Sequence, residues 1–104
     1  MNFSTHNDAH LNANGTFLQG YIRADYGLLV NLFGIPSFAF SSKTDWDWTI
    51  QFDDGTVATI YNYKNGPNYG YPTVTGDDIV EWHVGGYNQQ AMENVKRVLT
   101  ANPG

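Results

Sequence analysis

The chain has 104 residues, of which 41% are hydrophobic and 15% aromatic, enough for the core of one compact domain. Its net charge of −5 and its 5 Lys and Arg residues argue against binding a nucleic-acid polymer by neutralising phosphates, whereas an acidic surface fits docking onto a basic protein. The absence of cysteine excludes disulfide bonds and thiol catalysis.

Residues 1–14 are rich in Asn, His, Ser and Thr, which predicts a polar N-terminal lead-in ahead of a single domain formed by residues 15–104. The segment has no apolar run, so we expect neither a signal peptide nor a membrane span, and a soluble, intracellular protein. His6 and His10 lie in a segment without helical periodicity, and the aspartates do not follow calcium-loop spacing. We therefore expect no metal and no cofactor.

The sequence of the first half of the domain predicts a strand followed by a helix. Residues 16–23 predict the strand, with a bulge at Gly20. Residues 26–33 predict a short helix, because apolar residues recur on one face and Gly34 follows as a C-terminal signal.

The most regular part of the sequence is residues 44–64, where two alternating runs of apolar and polar residues flank Asp53-Asp54-Gly55. Such alternation is typical of half-buried strands, and Asp-Gly between two such runs predicts a hairpin. Two turns are possible: a three-residue loop with Gly55 in the left-handed position, or a two-residue Asp54-Gly55 turn. We favour the first, because it separates the apolar side chains more cleanly.

The three-residue loop places one set of side chains in the core: Trp46, Trp48, Ile50, Phe52, Ala58 and Ile60. The opposite face then holds Asp45, Asp47, Thr49, Gln51, Val57, Thr59, Tyr61 and Tyr63. A polar face with an aromatic end suits a ligand or a partner, although Tyr is also a common strand former on ordinary solvated faces. A two-residue turn would instead place Tyr61 and Tyr63 beside the tryptophans.

The second half of the domain continues the alternation of elements. Residues 64–75 predict a loop rich in Gly, Pro, Asn and Tyr, residues 79–84 a strand ended by Gly85-Gly86, and residues 89–100 an amphipathic helix. The predicted fold class is α+β, a mainly antiparallel sheet of about four strands with two helices packed on one face. The other face is expected to be open unless a second subunit covers it, and we expect a homo-oligomer.

The candidate ligand-binding residues lie around the exit of the hairpin: Tyr61, Tyr63, Lys64, Asn65, Asn68, Tyr69, Tyr71, Glu81 and His83. Tyrosine rings stack on bases and also dominate protein interfaces, and with so few basic residues a small nucleotide is favoured over a polymer. His83 shares a strand face with Glu81, as a general base, a ligand contact or ordinary surface. No nucleophile or oxyanion site marks a catalytic centre, so we expect a protein that is not an enzyme.

The candidate partner-binding residues are Asp45, Asp47, Phe38 and Phe40. The two carboxylates suit a basic partner surface. The two phenylalanines, in the loop 37–43, either cover the edge of the core or contact another subunit.

Four runs carry a resemblance to a known family: residues 25–36 (DYGLLVNLFGIP), 43–48 (KTDWDW), 54–64 (DGTVATIYNYK) and 82–86 (WHVGG). They resemble a family of small bacteriophage-encoded proteins. The resemblance implies a protein that counters a bacterial defence in the host cytoplasm. It implies either an oligomer that sequesters a small nucleotide immune signal, or an acidic inhibitor of a defence enzyme such as a CRISPR effector.

Overall fold

The computed structural model of the protein describes residues 2–38 and 41–102. Its elements, in chain order, are strands β1 (Phe3–Thr5) and β2 (Phe17–Arg23), helix α1 (Tyr26–Phe33), strands β3 (Ser37–Phe38), β4 (Trp46–Phe52), β5 (Val57–Tyr61) and β6 (Glu81–Gly86), and helix α2 (Gln90–Ala101). Two 3₁₀ turns, Pro67–Tyr69 and Gly76–Asp78, lie between β5 and β6.

The strands form one antiparallel six-stranded sheet in the order β1-β4-β5-β6-β2, and β3 also pairs with β4. The α+β class is confirmed, but the sheet is larger than the predicted one of about four strands. The additional strands β1 and β3 both pair with the same edge of β4. Strand β1 pairs with the C-terminal part, where Phe3 lies opposite Phe52, and β3 with the N-terminal part, where Phe38 lies opposite Trp46.

Strand β1 lies in the segment that was expected to be a polar lead-in ahead of the domain. The ring centroid of Phe3 lies 5.2 Å from that of Phe33 in α1 and 6.0 Å from that of Phe52 in β4. Aromatic rings at such distances attract each other in addition to burying apolar area. The ring of Phe3 therefore adds to the pairing with β4 in holding residues 3–5 on the sheet, although the residues around it are polar.

The hairpin between β4 and β5 is closed by the three-residue loop that the sequence favoured. Gly55 has φ +89°, and the N–H of Phe52 donates to the carbonyl of Thr56 at 2.8 Å. Trp48 consequently lies opposite Ile60 in the ladder, and both side chains are fully buried. The predicted division of the hairpin into a core face and an opposite face follows from this register.

Both helices pack on the core face of the sheet. The rings of Trp48 and Trp82 meet edge to face at 5.4 Å, and Tyr26 of α1 stacks on Trp82 at 6.2 Å. Both indole N–H groups are satisfied, by the carbonyls of Gly34 and Ala24. Helix α2 completes the core with Ala91, Met92, Val95 and Val98. In the described part of the chain, the helices leave the opposite face of the sheet uncovered, and we call it the open face.

Strand β6 differs from the prediction at both ends. It includes Gly85 and Gly86, which were predicted to end it, because both residues pair with β5 and with β2. Glycine is needed at both positions, since a Cβ on Gly86 would collide with Ala91 and one on Gly85 with Thr59. The strand also begins two residues later than predicted, after the 3₁₀ turn Gly76–Asp78, and of the two residues before it Ile79 is buried and Val80 is 44% exposed.

Gly86→Ala tests the close approach of α2 to the sheet. The added methyl group has no room beside Ala91, so we expect the free energy of unfolding to fall by about 1–3 kcal/mol in urea denaturation. Gly27→Ala in α1 is the matched control, because its Cβ would meet nothing within 4 Å and alanine favours a helix by about 0.5–1 kcal/mol. Equal stabilities of the two variants would contradict the packing described here.

Candidate functional site

A row of side chains crosses the open face from one strand to the next. Ser37 of β3 lies opposite Asp47 of β4, and Asp47 lies opposite Tyr61 of β5. Tyr61 lies opposite His83 of β6, which in turn lies opposite Tyr21 of β2. Directly opposed residues on one face are nearest neighbours in a sheet, so the row is continuous across five strands.

The imidazole of His83 is surrounded by tyrosine rings. Its centroid lies 4.8 Å from that of Tyr21, 5.3 Å from that of Tyr61 and 5.3 Å from that of Tyr63. The rings of Tyr61 and Tyr63 lie 6.5 Å apart, edge to face. These distances fall in the range in which aromatic pairs attract each other. We call Tyr21, Tyr61, Tyr63 and His83 the His83 cluster.

Burial favours the neutral forms of two members of the His83 cluster, His83 and Tyr61. Burial lowers the pKa of His83, and the nearby Glu81 carboxylate offsets this effect only in part. Burial likewise raises the pKa of Tyr61, helped by the neighbouring phenols of Tyr63 and Tyr21. The Nδ1 atom of His83 is buried and makes no hydrogen bond in the described part of the chain. The cluster therefore offers neutral, flat rings, which favours stacking over ionic contacts.

Asp47 lies in the same row between Ser37 and Tyr61, and its carboxyl group is in an unfavourable environment. Burial raises the pKa of its carboxyl group, although the nearby His6 and the Ser37 hydroxyl act in the opposite direction. Its Oδ1 atom is buried without a hydrogen-bond partner among the described residues. As a candidate partner contact, Asp47 is therefore only partly accessible.

Asp45 is placed differently from the prediction, which put its charge on the open face. It is 7% exposed and its Oδ2 accepts a hydrogen bond from Asn62 at 2.9 Å. The side-chain oxygen of the fully buried Asn62 accepts in turn from the N–H groups of Asp45 and Trp46, at 2.9 Å each. Asp45 precedes β4, so strand alternation does not govern it, and its carboxylate points inward because buried partners are available.

The loop after β5 is folded around Asp45. The N–H of Asn68 donates to Asp45 Oδ1 at 2.8 Å, and its side-chain amide donates to the Thr44 carbonyl at 2.9 Å. Asn65 accepts from Asn62 at 3.1 Å, and a Cβ on Gly66 would overlap Asp45. Asn65 and Asn68, expected to bind a ligand, therefore hold the loop in shape. We call these contacts the Asp45 network.

The fixed loop presents a second aromatic group beside the His83 cluster. The Lys64 ammonium lies 5.3 Å from the ring centroid of Tyr63 and 5.9 Å from that of Tyr69. Tyr69 and Tyr71 are stacked with centroids 6.4 Å apart, and both are about half exposed. The backbone of Lys64 has φ +58°, and its N–H donates to the Lys43 carbonyl at 2.7 Å.

The structure thus brings together most, but not all, of the predicted residues. Tyr61, Tyr63 and His83 meet, and Glu81 is exposed beside them. Tyr21 was not among the predicted site residues, although its alternation with the buried Ile22 was a usable signal. Among the candidate partner contacts, Phe38 is 64% exposed at the sheet edge, and Phe40 lies outside the described residues.

No model of a known protein family, no curated protein and no solved structure matches this chain. Within residues 2–38 and 41–102, no helix has the length and apolar character needed to cross a membrane. The same residues contain no group of three or more His, Cys, Asp or Glu side chains placed to hold a metal ion.

The substitution Asp47→Asn tests whether the partly buried carboxyl group destabilises the fold when it is ionised. Because burial raises the folded-state pKa of this carboxyl group above that of the unfolded chain, its ionisation lowers the free energy of unfolding at pH 7. We expect Asp47→Asn to raise the free energy of unfolding at pH 7 by about 1 kcal/mol. The difference should shrink as the pH falls through the raised pKa and vanish below about 3.8. Urea denaturation at a series of pH values measures it, and a gain that grows toward acid would contradict this account.

Proposed function

We propose that the protein binds a small nucleotide on its open face and holds it without chemical change. The observation that carries the proposal is the neutral His83 ring among the tyrosines of its cluster, on a face that the helices leave uncovered. Flat neutral rings of this kind stack on nucleobases, and each base that stacks contributes about 1–3 kcal/mol.

The distribution of charge supports a small anionic ligand. The basic side chains Arg23 and Lys64 border the His83 cluster, since Arg23 lies opposite Glu81 and Lys64 contacts Tyr63. Exposed acidic residues such as Asp77 and Asp78 lie instead in the 3₁₀ turn beside α1. The open face is therefore less acidic than the net charge of −5 suggests, but it has too few basic residues for a polymer.

Binding without turnover fits the surroundings of His83. Among the described residues, its ring is contacted by phenols, and its buried Nδ1 is not hydrogen-bonded to a hydroxyl that it could activate.

A flat face covers only one side of a base, whereas small-ligand sites usually enclose most of the ligand. We therefore propose that two copies oppose their open faces around the ligand. The resemblance to phage-encoded proteins makes nucleotide immune signals the first ligands to test.

Calorimetric titration of the full chain with mononucleotides, cyclic dinucleotides and cyclic ADP-ribose derivatives tests the proposal. We expect His83→Ala and Tyr21→Ala each to weaken binding about tenfold, because each removes a stacking surface. Tyr87→Ala is the matched control, since Tyr87 is similarly exposed but donates to the Asn14 carbonyl and is not part of the His83 cluster. Chromatography of the released ligand should return it intact. Absence of binding by every compound at millimolar concentration would refute the proposal.

An acidic inhibitor of a defence enzyme is the second candidate function, and one observation favours it. Asp25, Asp77 and Asp78 are all exposed around Tyr26, whose pKa is raised by burial and further by Asp77. Such a surface would attract a basic protein. The acidic contact would then lie beside α1 rather than at Asp45 and Asp47.

Reversing the charges of Asp77 and Asp78 distinguishes the acidic inhibitor from the nucleotide-binding protein. If a protein partner docks beside α1, capture of that partner from a host lysate should weaken with salt and be lost in the double variant Asp77→Lys, Asp78→Lys. His83→Ala should capture it normally. A complex that survives charge reversal but not His83→Ala would contradict docking beside α1.

A further inference from the structure

We infer that the ligand carries two planar rings joined by an anionic linker, as a dinucleotide does, and that the second ring binds at Tyr69 and Tyr71. The inference rests on the proposed function, because the first ring is the base that stacks on the His83 cluster. It adds a second subsite and a place for the linker between the two.

The contacts form one uninterrupted track from β2 to the loop. His83 lies 5.3 Å from Tyr63, and the Lys64 ammonium lies 5.3 Å from Tyr63 and 5.9 Å from Tyr69. The lysine therefore lies between two groups of aromatic rings. A molecule that spans both groups must place its linker at this ammonium, and a phosphate linker supplies the complementary charge.

Lys64 is available to a phosphate because the rings that it contacts do not use its hydrogen-bonding capacity. An ammonium has three N–H donors, and a ring face attracts its charge without accepting a conventional hydrogen bond. The backbone of Lys64 is fixed by its left-handed conformation and by the hydrogen bond to Lys43. The same hydrogen bond places the backbone of Lys43, a second basic residue, next to Lys64.

The second subsite is rigid for a reason that does not involve its own rings. The Asp45 network holds the loop through backbone and amide groups, and Tyr69 is anchored by the bond from its N–H to the Gly66 carbonyl at 3.0 Å. The two tyrosine side chains add only their mutual stacking and the Lys64 contact to the described structure. About half of the surface of each tyrosine side chain is exposed to water. The folding of the loop therefore does not explain why two aromatic rings are exposed at this position.

If the two subsites are adjacent, a ligand in which two bases are linked should bind with higher affinity than a single base. Once the first base is bound, the second binds at the high effective concentration that the short linker imposes. A longer strand gains little more, because each further phosphate needs a cation and the chain has only 5 Lys and Arg residues. The preferred ligand is therefore a dinucleotide rather than a mononucleotide or a polymer.

The experiment compares AMP with cyclic di-AMP and linear adenylyl-adenosine, by calorimetric titration of the full chain. We expect at least one dinucleotide to bind at least about tenfold tighter than AMP. The double variant Tyr69→Ala, Tyr71→Ala should abolish this gain and leave any AMP affinity unchanged, and Lys64→Gln should reduce both the gain and its dependence on salt. Thermal unfolding of each variant checks that the fold is intact.

The possible failures are distinguishable. If AMP binds as tightly as both dinucleotides, or if the double variant keeps the gain while remaining folded, the second subsite is refuted and the proposed function stands. If neither AMP nor a dinucleotide binds, the inference and nucleotide binding at the His83 cluster both fail for adenine ligands. Tighter dinucleotide binding that disappears with the two tyrosines supports the inference.

Discussion

The register of the β4–β5 hairpin is the constraint on which the rest of the structure depends. Gly55, with φ +89°, closes a three-residue loop and thereby fixes which side chains of both strands share a face. Trp48 is buried on one face as a result, and Tyr61 lies on the other, opposite His83. A shift of β5 by one residue would place Tyr61 on the face of the tryptophans and turn Ala58 and Ile60, both fully buried here, out of the core. Core packing energy therefore also stabilises the position of the candidate site, since the register cannot slip without exposing these two side chains.

The Asp45 network gives the loop after β5 a stability that its composition does not suggest. Gly, Pro and Asn usually mark mobile or turn-forming chain, but here Asn62 is fully buried and bonded on both its oxygen and its nitrogen. A buried carboxylate such as Asp45 is tolerated only when hydrogen bonds replace its hydration, and Asn68 supplies one of them from the loop itself. The loop and the carboxylate therefore stabilise each other, and the network that holds them in place also fixes Tyr69 and Lys64 beside the sheet.

Local patterns in the sequence predicted the elements that are governed by local rules. The two helices and the hairpin register follow from periodicity and from glycine at positive φ, whereas the bulge predicted at Gly20 lies between Leu18 and Gly20. The misses depend on partners that are distant in sequence. Strand β1 pairs with β4 and is supported by the contacts of Phe3 with Phe33 and Phe52. Strand β6 continues through Gly85-Gly86 because these residues pair with β5 and β2. For the site, alternation correctly placed Tyr61 and His83, but the inward turn of Asp45 depends on Asn62, which is 17 residues away.

A flat face limits how tightly a single copy can hold a nucleotide. Stacking contributes about 1–3 kcal/mol per base, so two bases supply about 2–6 kcal/mol, whereas micromolar affinity corresponds to about 8 kcal/mol. Loss of translational and rotational freedom on binding lowers the net value further. A second copy would stack each base from its other side and would place a second Lys64 near the linker. The exposed acidic residues Asp77 and Asp78 lie beside α1 rather than on the open face, so their repulsion does not oppose the approach of two open faces. If the protein sequesters its ligand at low concentration as proposed, self-association of two open faces would supply the missing contacts, which links the expected homo-oligomer to the proposed function.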